Sequence, residues 1–393
     1  MLQECRFTIF DLLKEILQFI RSNKRLCIIH YSIFIAFGCG GIRLPQTFFS
    51  FDKDVIREEL VPPLEKIFEH TTVAGFPKDA GTLVDSFLFV GTFNGEVKVY
   101  NITNGTSYGY FDAGVAVSGA PTVDGFRIFI PLVKDQNSLV AYDLQDKHID
   151  WKINIGNIES SPLVFQENIF VVTTDSKLYS LKKRTGEINW TFEEKTKKSG
   201  SRAHCSVVSD GFNLYFGNDE GIVYSVGIDS GKQQWKFDAE GSIFSSPTIF
   251  ENKIYFTTTK GNVYVLSLDG TLQWKKNMDV PLYATVGIGQ HSLLVATSDG
   301  KIVSLNRING ETEWEFQTKS VINVTPLVLG NFVYVGTTDK NLYALNISDG
   351  SVAWNYPLEG RVKTNLLARK NYLVAFVEDR TILIFKGRES KIF

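Results

Sequence analysis

The chain has 393 residues, with 41 Lys and Arg against 43 Asp and Glu, for a formal net charge of −2. That balance excludes the basic excess expected of a nucleic-acid binder. At 44% hydrophobic residues and 13% aromatics, the chain has ample apolar material for a large core of packed strands.

Residues 1–38 stand apart from the rest. Phe10, Leu13, Leu17 and Ile20 recur at helical spacing. A basic cluster, Arg21-Ser22-Asn23-Lys24-Arg25, follows, and then an apolar run over residues 26–37 that contains His30 and leads to Gly38. The run is shorter than the roughly 20 residues of a membrane-spanning helix. A basic cluster, a short apolar run and a small residue before the cut have the order of a secretory signal. Cys39 directly after Gly38 resembles the lipobox of bacterial lipoproteins, although Ala36 and Phe37 precede Gly38 and the usual Leu is missing. The resemblance implies removal of 1–38, a lipid on Cys39, and attachment to a membrane through it. The same stretch also fits an uncleaved anchor helix. With 1–38 removed and Cys39 modified, Cys205 is the one thiol left, which leaves no internal disulfide and no metal-site spacing.

Residues 39–63 read as a linker. It has a Phe-containing part over 44–52, a charged stretch over 55–60 that suits a short helix, and a stop at Pro62-Pro63. Glu65-Lys66-Ile67-Phe68-Glu69-His70 then resembles Glu313-Trp314-Glu315-Phe316-Gln317, with Ile67 at the tryptophan position.

From there the chain repeats itself. Units over residues 76–111, 120–155, 160–192, 205–237, 246–276, 284–316 and 325–356 each hold four short runs rich in Val, Ile, Tyr and Phe, bounded by Gly, Asn and Asp. Such runs are strands joined by tight hairpins. The unit at 364–385 has three strands and no closing one. All six tryptophans, Trp151, Trp190, Trp235, Trp274, Trp314 and Trp354, fall at the closing strand, spaced 39, 45, 39, 40 and 40 residues apart. A four-stranded unit of about 40 residues cannot bury both of its apolar faces alone, and this period marks propeller blades. The chain is therefore expected to be all-β over 64–393, an eight-bladed β-propeller of four-stranded antiparallel blades behind a short helical and hydrophobic N-terminal segment. Residues 65–70 are expected to complete blade eight beside 381–385, leaving no open sheet edge at the seam.

The phrase Ser245-Ser246-Pro247, Ile254-Tyr255-Phe256, Gly261-Asn262-Val263-Tyr264, Asp269-Gly270-Thr271-Leu272-Gln273-Trp274 recurs as Ser160-Ser161-Pro162, Leu178-Tyr179-Ser180-Leu181, Thr185-Gly186-Glu187-Ile188-Asn189-Trp190. It resembles the pyrroloquinoline-quinone-like β-propeller repeat over about residues 64–386. Together with Cys39, the chain is similar to the lipoprotein propellers of the outer-membrane β-barrel assembly machinery. That resemblance implies a non-catalytic scaffold without cofactor, lipid-anchored on the periplasmic face of the outer membrane or at the cell surface. Its partner would be a protein of barrel assembly, bound through inter-blade loops.

Among side chains that carry chemistry, the tryptophans are expected between blades. Gly186, Gly231, Gly270, Gly310 and Gly350 are expected in hairpin turns at positive φ. No two of the five histidines sit at metal-ligand spacing, and His204 beside Cys205 is expected in a solvated loop. The long gap between Trp190 and Trp235 leaves extra sequence at Glu193–Arg202, where Lys195, Lys197, Lys198 and Arg202 form a candidate partner-facing basic patch. No catalytic, cofactor-binding or metal residues are assigned. A quinone-dependent oxidoreductase and a sensing or carbohydrate-binding propeller are the rival readings. The first lacks the adjacent cysteine pair common in those enzymes.

Overall fold

A computed structural model describes Leu44 and residues 60–133, 136–194, 200–378 and 380–388. The N-terminal segment, the helix expected within 55–60 and most of the linker lie outside the described residues. Every regular element described is a strand, and the strands form eight four-stranded sheets. Blades 1 to 7 take their strands in chain order from residues 81–112, 122–153, 163–192, 208–238, 248–277, 287–317 and 327–357. The inner strands of successive blades meet one another around a central channel.

The middle strands explain the runs of apolar sequence. In Phe87–Gly91 every residue is buried. Neighbouring side chains on a strand point to opposite faces. Here a flanking blade covers each face, so the residues have no reason to alternate. The outer strands do alternate, as in Thr312–Gln317, where only Trp314 and Phe316 are half-buried.

Blade 8 is completed from the other end of the chain. Val61–Thr71 pairs antiparallel with Thr381–Arg388, with Thr71 opposite Thr381, His70 opposite Ile382 and Glu65 opposite Lys386. Leu60 is fully buried, and its carbonyl accepts a 2.8 Å hydrogen bond from the Tyr334 hydroxyl of blade 7. One expectation needs correction. The register is irregular between Lys66 and Phe68, and Phe68, not Ile67, faces Ile384 at the tryptophan position.

Adjacent blades are fastened at their rims by a ring laid over a glycine. Trp151, Trp190, Trp235, Trp274 and Trp314 each lie against the turn glycine of the following blade, at Gly186, Gly231, Gly270, Gly310 and Gly350. A Cβ on Gly186 would sit 2.6 Å from Cε3 of Trp151, and its φ of +72° already disfavours a side chain. Indole N–H groups donate to the same turns, from Trp151 to the Lys183 carbonyl (3.1 Å), from Trp235 to Leu268 (2.9 Å) and from Trp314 to Ile347 (2.8 Å). Phe68 does the same work for blade 8, lying against Gly105 of blade 1. Trp354 has no such glycine, because the blade it faces has no hairpin leading to its outer strand. It packs on Phe385 instead, with centroids 5.9 Å apart.

His70 occupies the register that Phe316 holds in blade 6. It stacks on Tyr100 at 4.4 Å, and its Nε2 has no hydrogen-bond partner among the described residues. Burial lowers its pKa below the ordinary value.

Two outcomes follow from this packing. Gly186→Ala should destabilise the protein by about 2 kcal/mol, through overlap with Trp151 and strain at positive φ. Lys147→Ala, at the equivalent turn of blade 2, should be nearly neutral. Denaturant titration checks both. Because the unfolded chain protonates His70 at higher pH than the folded one, its contribution is intact above the unfolded pKa of about 6.5 and declines as pH falls through the lowered folded value. The melting temperature should therefore drop on acidification, and His70→Phe should make that drop smaller. Equal drops in both proteins would contradict this assignment.

Candidate functional site: the channel mouth and the inter-blade loop face

Each inner strand begins just after a residue at a fixed place in the repeat, so one side chain per blade is delivered to one face of the ring. In chain order these are Lys78, Ser118, Glu159, His204, Phe244, Tyr283, Asn323 and Lys363. Residues one to four positions further along stitch the blades together around the channel. Thr82 Oγ1 donates to the Pro121 carbonyl (2.5 Å) and Thr122 Oγ1 to Pro162 (2.6 Å). The Ser161 amide donates to Ser206 Oγ (3.0 Å), and the Ser206 amide to Ser246 Oγ (2.8 Å). The circuit passes the seam when Asn365 Nδ2 of blade 8 donates to Asp79 Oδ1 at 2.6 Å. The small polar residues of the Ser-Ser-Pro phrase are thus selected by close inner-strand packing.

Above this circuit opens a cavity of about 430 Å³, bordered by Lys78, Asp79, Glu159, His204, Phe244 and Leu327 among others. His204 lies on an inter-blade loop, as expected, and that loop borders this mouth, where the side chain is half-buried. Its Nδ1 lies 2.7 Å from Glu159 Oε2, and its ring stacks on Phe244 with centroids 5.0 Å apart. Phe244 in turn meets Tyr283 at 6.4 Å, and Lys78 Nζ donates to the Tyr283 carbonyl at 3.3 Å. Residues of blades 1, 3, 4, 5 and 6 therefore form one continuous arc of mixed charge and aromatic surface. The sequence held a signal for it. Glu159, His204 and Phe244 share one place in the repeat, a fact hidden when the histidine is read only against its cysteine neighbour.

Cys205 offers no nucleophile. It is 1% exposed, its thiol donates to the Gly217 carbonyl at 3.2 Å, and burial pushes its pKa up to about 11. Among the described residues no three His, Cys, Asp or Glu side chains converge on a point that would hold a metal ion. The mouth carboxylates are engaged, Asp79 by Asn365 and Glu159 by His204.

Of the candidate basic patch, Arg202 is exposed, two residues before His204 on the same inter-blade connection. Its amide donates to Asp219 Oδ1 at 2.8 Å, which clips the end of that connection to the next blade. Lys195, Lys197 and Lys198 lie outside the described residues, as does Cys39.

Blades closed by an N-terminal strand, fastened at the rim by tryptophan on glycine and stitched inside by short hydroxyl side chains, define an eight-bladed propeller of pyrroloquinoline-quinone-like repeats. The family model described as outer membrane protein assembly factor BamB matches residues 93–265 and 259–391, and the chain belongs to that family.

BamB of Shewanella oneidensis is 22% identical over 217 residues, covering 47% of this chain and 55% of that protein. The beta-alanine-activating enzyme of Drosophila melanogaster is 25% identical over 260 residues, covering 59% of this chain and 25% of that protein. The chain thus spans about half the length of the first and a quarter of the second. The crystal structure of BamB from Moraxella catarrhalis superposes with a TM-score of 0.72 at 17% identity, over 82% of this chain and 99% of that one. A quinohemoprotein alcohol dehydrogenase from Comamonas testosteroni does so with a TM-score of 0.68 at 13% identity, over 84% of this chain and 78% of that one. Similarities this low in identity establish a shared fold.

Proposed function

We propose that this chain is a non-catalytic, lipid-anchored scaffold of the cell envelope that docks a protein partner during outer-membrane β-barrel assembly. The observation that carries the proposal is the family match, which runs through most of the ring. The physical character of the loop face supports it. An arc of Phe, Tyr, His and Lys side chains around a broad shallow mouth resembles the aromatic-rich core of a protein interface. A buried, protonated thiol and paired carboxylates offer little to a reaction. Cys39 is the proposed lipid site, with the periplasmic face of the outer membrane as the destination. Lys195, Lys197, Lys198 and Arg202 are the proposed rim of the docking surface, where exposed charge sets encounter rate and orientation.

The test is crosslinking in cells from a photoreactive residue at position 202, with position 212 on the opposite face as control. An adduct from 202 with a component of barrel assembly is expected, and Lys197→Glu combined with Lys198→Glu should lower its recovery about tenfold. Adducts from position 212 alone, or recovery unchanged by charge reversal, would contradict the assigned face. Dye-linked alcohol oxidation in the presence of quinone and Ca²⁺ should be absent, and turnover would favour the oxidoreductase reading.

A further inference from the structure

The junction between blades 1 and 2 lacks both halves of the rim fastening. Gly109 stands at the register where the later blades carry tryptophan, since Tyr110 faces Lys98 and Ser107 faces Tyr100 on either side of it. The facing turn of blade 2 carries Lys147 at φ +59° in place of glycine. The two departures belong together, because without an indole to approach, nothing demands a bare Cα. What remains across the junction is Phe111 stacked on Tyr142 at 4.2 Å.

Beside them a cavity of about 290 Å³ opens between the blades, bordered by Ala113, Gly114, Val115, Leu132, Val140 and Ile149. Ile149 is 42% exposed, and a Cβ added at Gly114 would meet nothing within 4 Å. One residue from far outside the repeat reaches this junction. Leu44 of the linker is half-buried and packs against the blade 1 and 2 core cluster that includes Phe87, Phe111 and Tyr142.

We infer that the blade 1–2 junction, which has no tryptophan fastening, is a docking site for the chain's own linker, anchored by Leu44 against the Phe87, Phe111 and Tyr142 cluster. The linker supplies suitable material, because Phe48, Phe49 and Phe51 follow Leu44 within a few residues. The chain is then fixed to the ring twice, by Leu60 in the blade 7–8 core and by Leu44 at blades 1–2.

The consequence for membrane attachment rests on Cys39 as the lipid-bearing residue. If the linker were free up to Leu60, the tether from Cys39 could extend about 75 Å at roughly 3.6 Å per residue. Docking at Leu44 shortens that reach to about 18 Å. The blade 1–2 edge is thereby held near the bilayer surface, and the ring loses most of its freedom to swing.

The experiment uses the full chain in detergent. A photoreactive residue at position 44 should crosslink to peptides spanning 107–117 or 139–153; crosslinks to other blades, or none, would overturn the inference. In parallel, tryptic cleavage after Arg43 and Lys53 should be about tenfold faster in Leu44→Asp. The partly exposed groove variant Ile149→Asp should show the same increase, and the double variant no further increase. Unchanged or additive rates would overturn it. Both readouts are repeated in Cys39→Ala, so that loss of the lipid and loss of the dock give different results.

Discussion

The antiparallel pairing of Val61–Thr71 with Thr381–Arg388 is the contact on which the rest of the ring depends. Each four-stranded sheet buries two faces, and in a ring every sheet needs a neighbour on both sides. Seven blades are continuous in sequence, but blade 8 has its outer strand supplied by the other end of the chain. That strand brings Leu60 and Leu64 into the blade 7–8 core, and it brings Phe68 and His70 against blade 1. Without it, apolar surface on both sides of the seam is open to water and the middle strand of blade 8 becomes an edge.

Two fastenings at different radii keep the blades in register. At the rim, an indole lies on a bare Cα and donates to a carbonyl of the same turn. Around the channel, Ser, Thr and Asn side chains join inner strands across blade boundaries. The inner circuit leaves one variable position per blade just ahead of each inner strand, and four of these, Lys78, Glu159, His204 and Phe244, border the mouth. At blades 1 and 2, where both tryptophan and turn glycine are absent, Leu44 packs against the core.

Much of this was legible in the sequence. The tryptophan column and the four-run unit indicated blade number, strand order and the need for an N-terminal closing strand. The closing strand was misregistered by one residue at Ile67, because the irregularity between Lys66 and Phe68 cannot be seen without the partner strand. The missing tryptophan of blade 1 was equally silent, since Gly109 acquires meaning only once Lys98 and Tyr110 are paired. The sequence beside His204 shows only Cys205, whereas the surroundings of its ring come from Glu159 and Phe244, one blade away on either side. Contacts between blades join residues some 40 positions apart at irregular offsets, and periodicity alone does not resolve them.

Calorimetry of the chain lacking residues 60–71, with and without a peptide of that sequence added back, tests ring closure most directly. The account predicts a melting temperature lower by roughly 10 °C or more, with partial recovery when the peptide is present. A melt that does not move on deletion, or that ignores the peptide, would show that the blades hold their circle without the N-terminal strand.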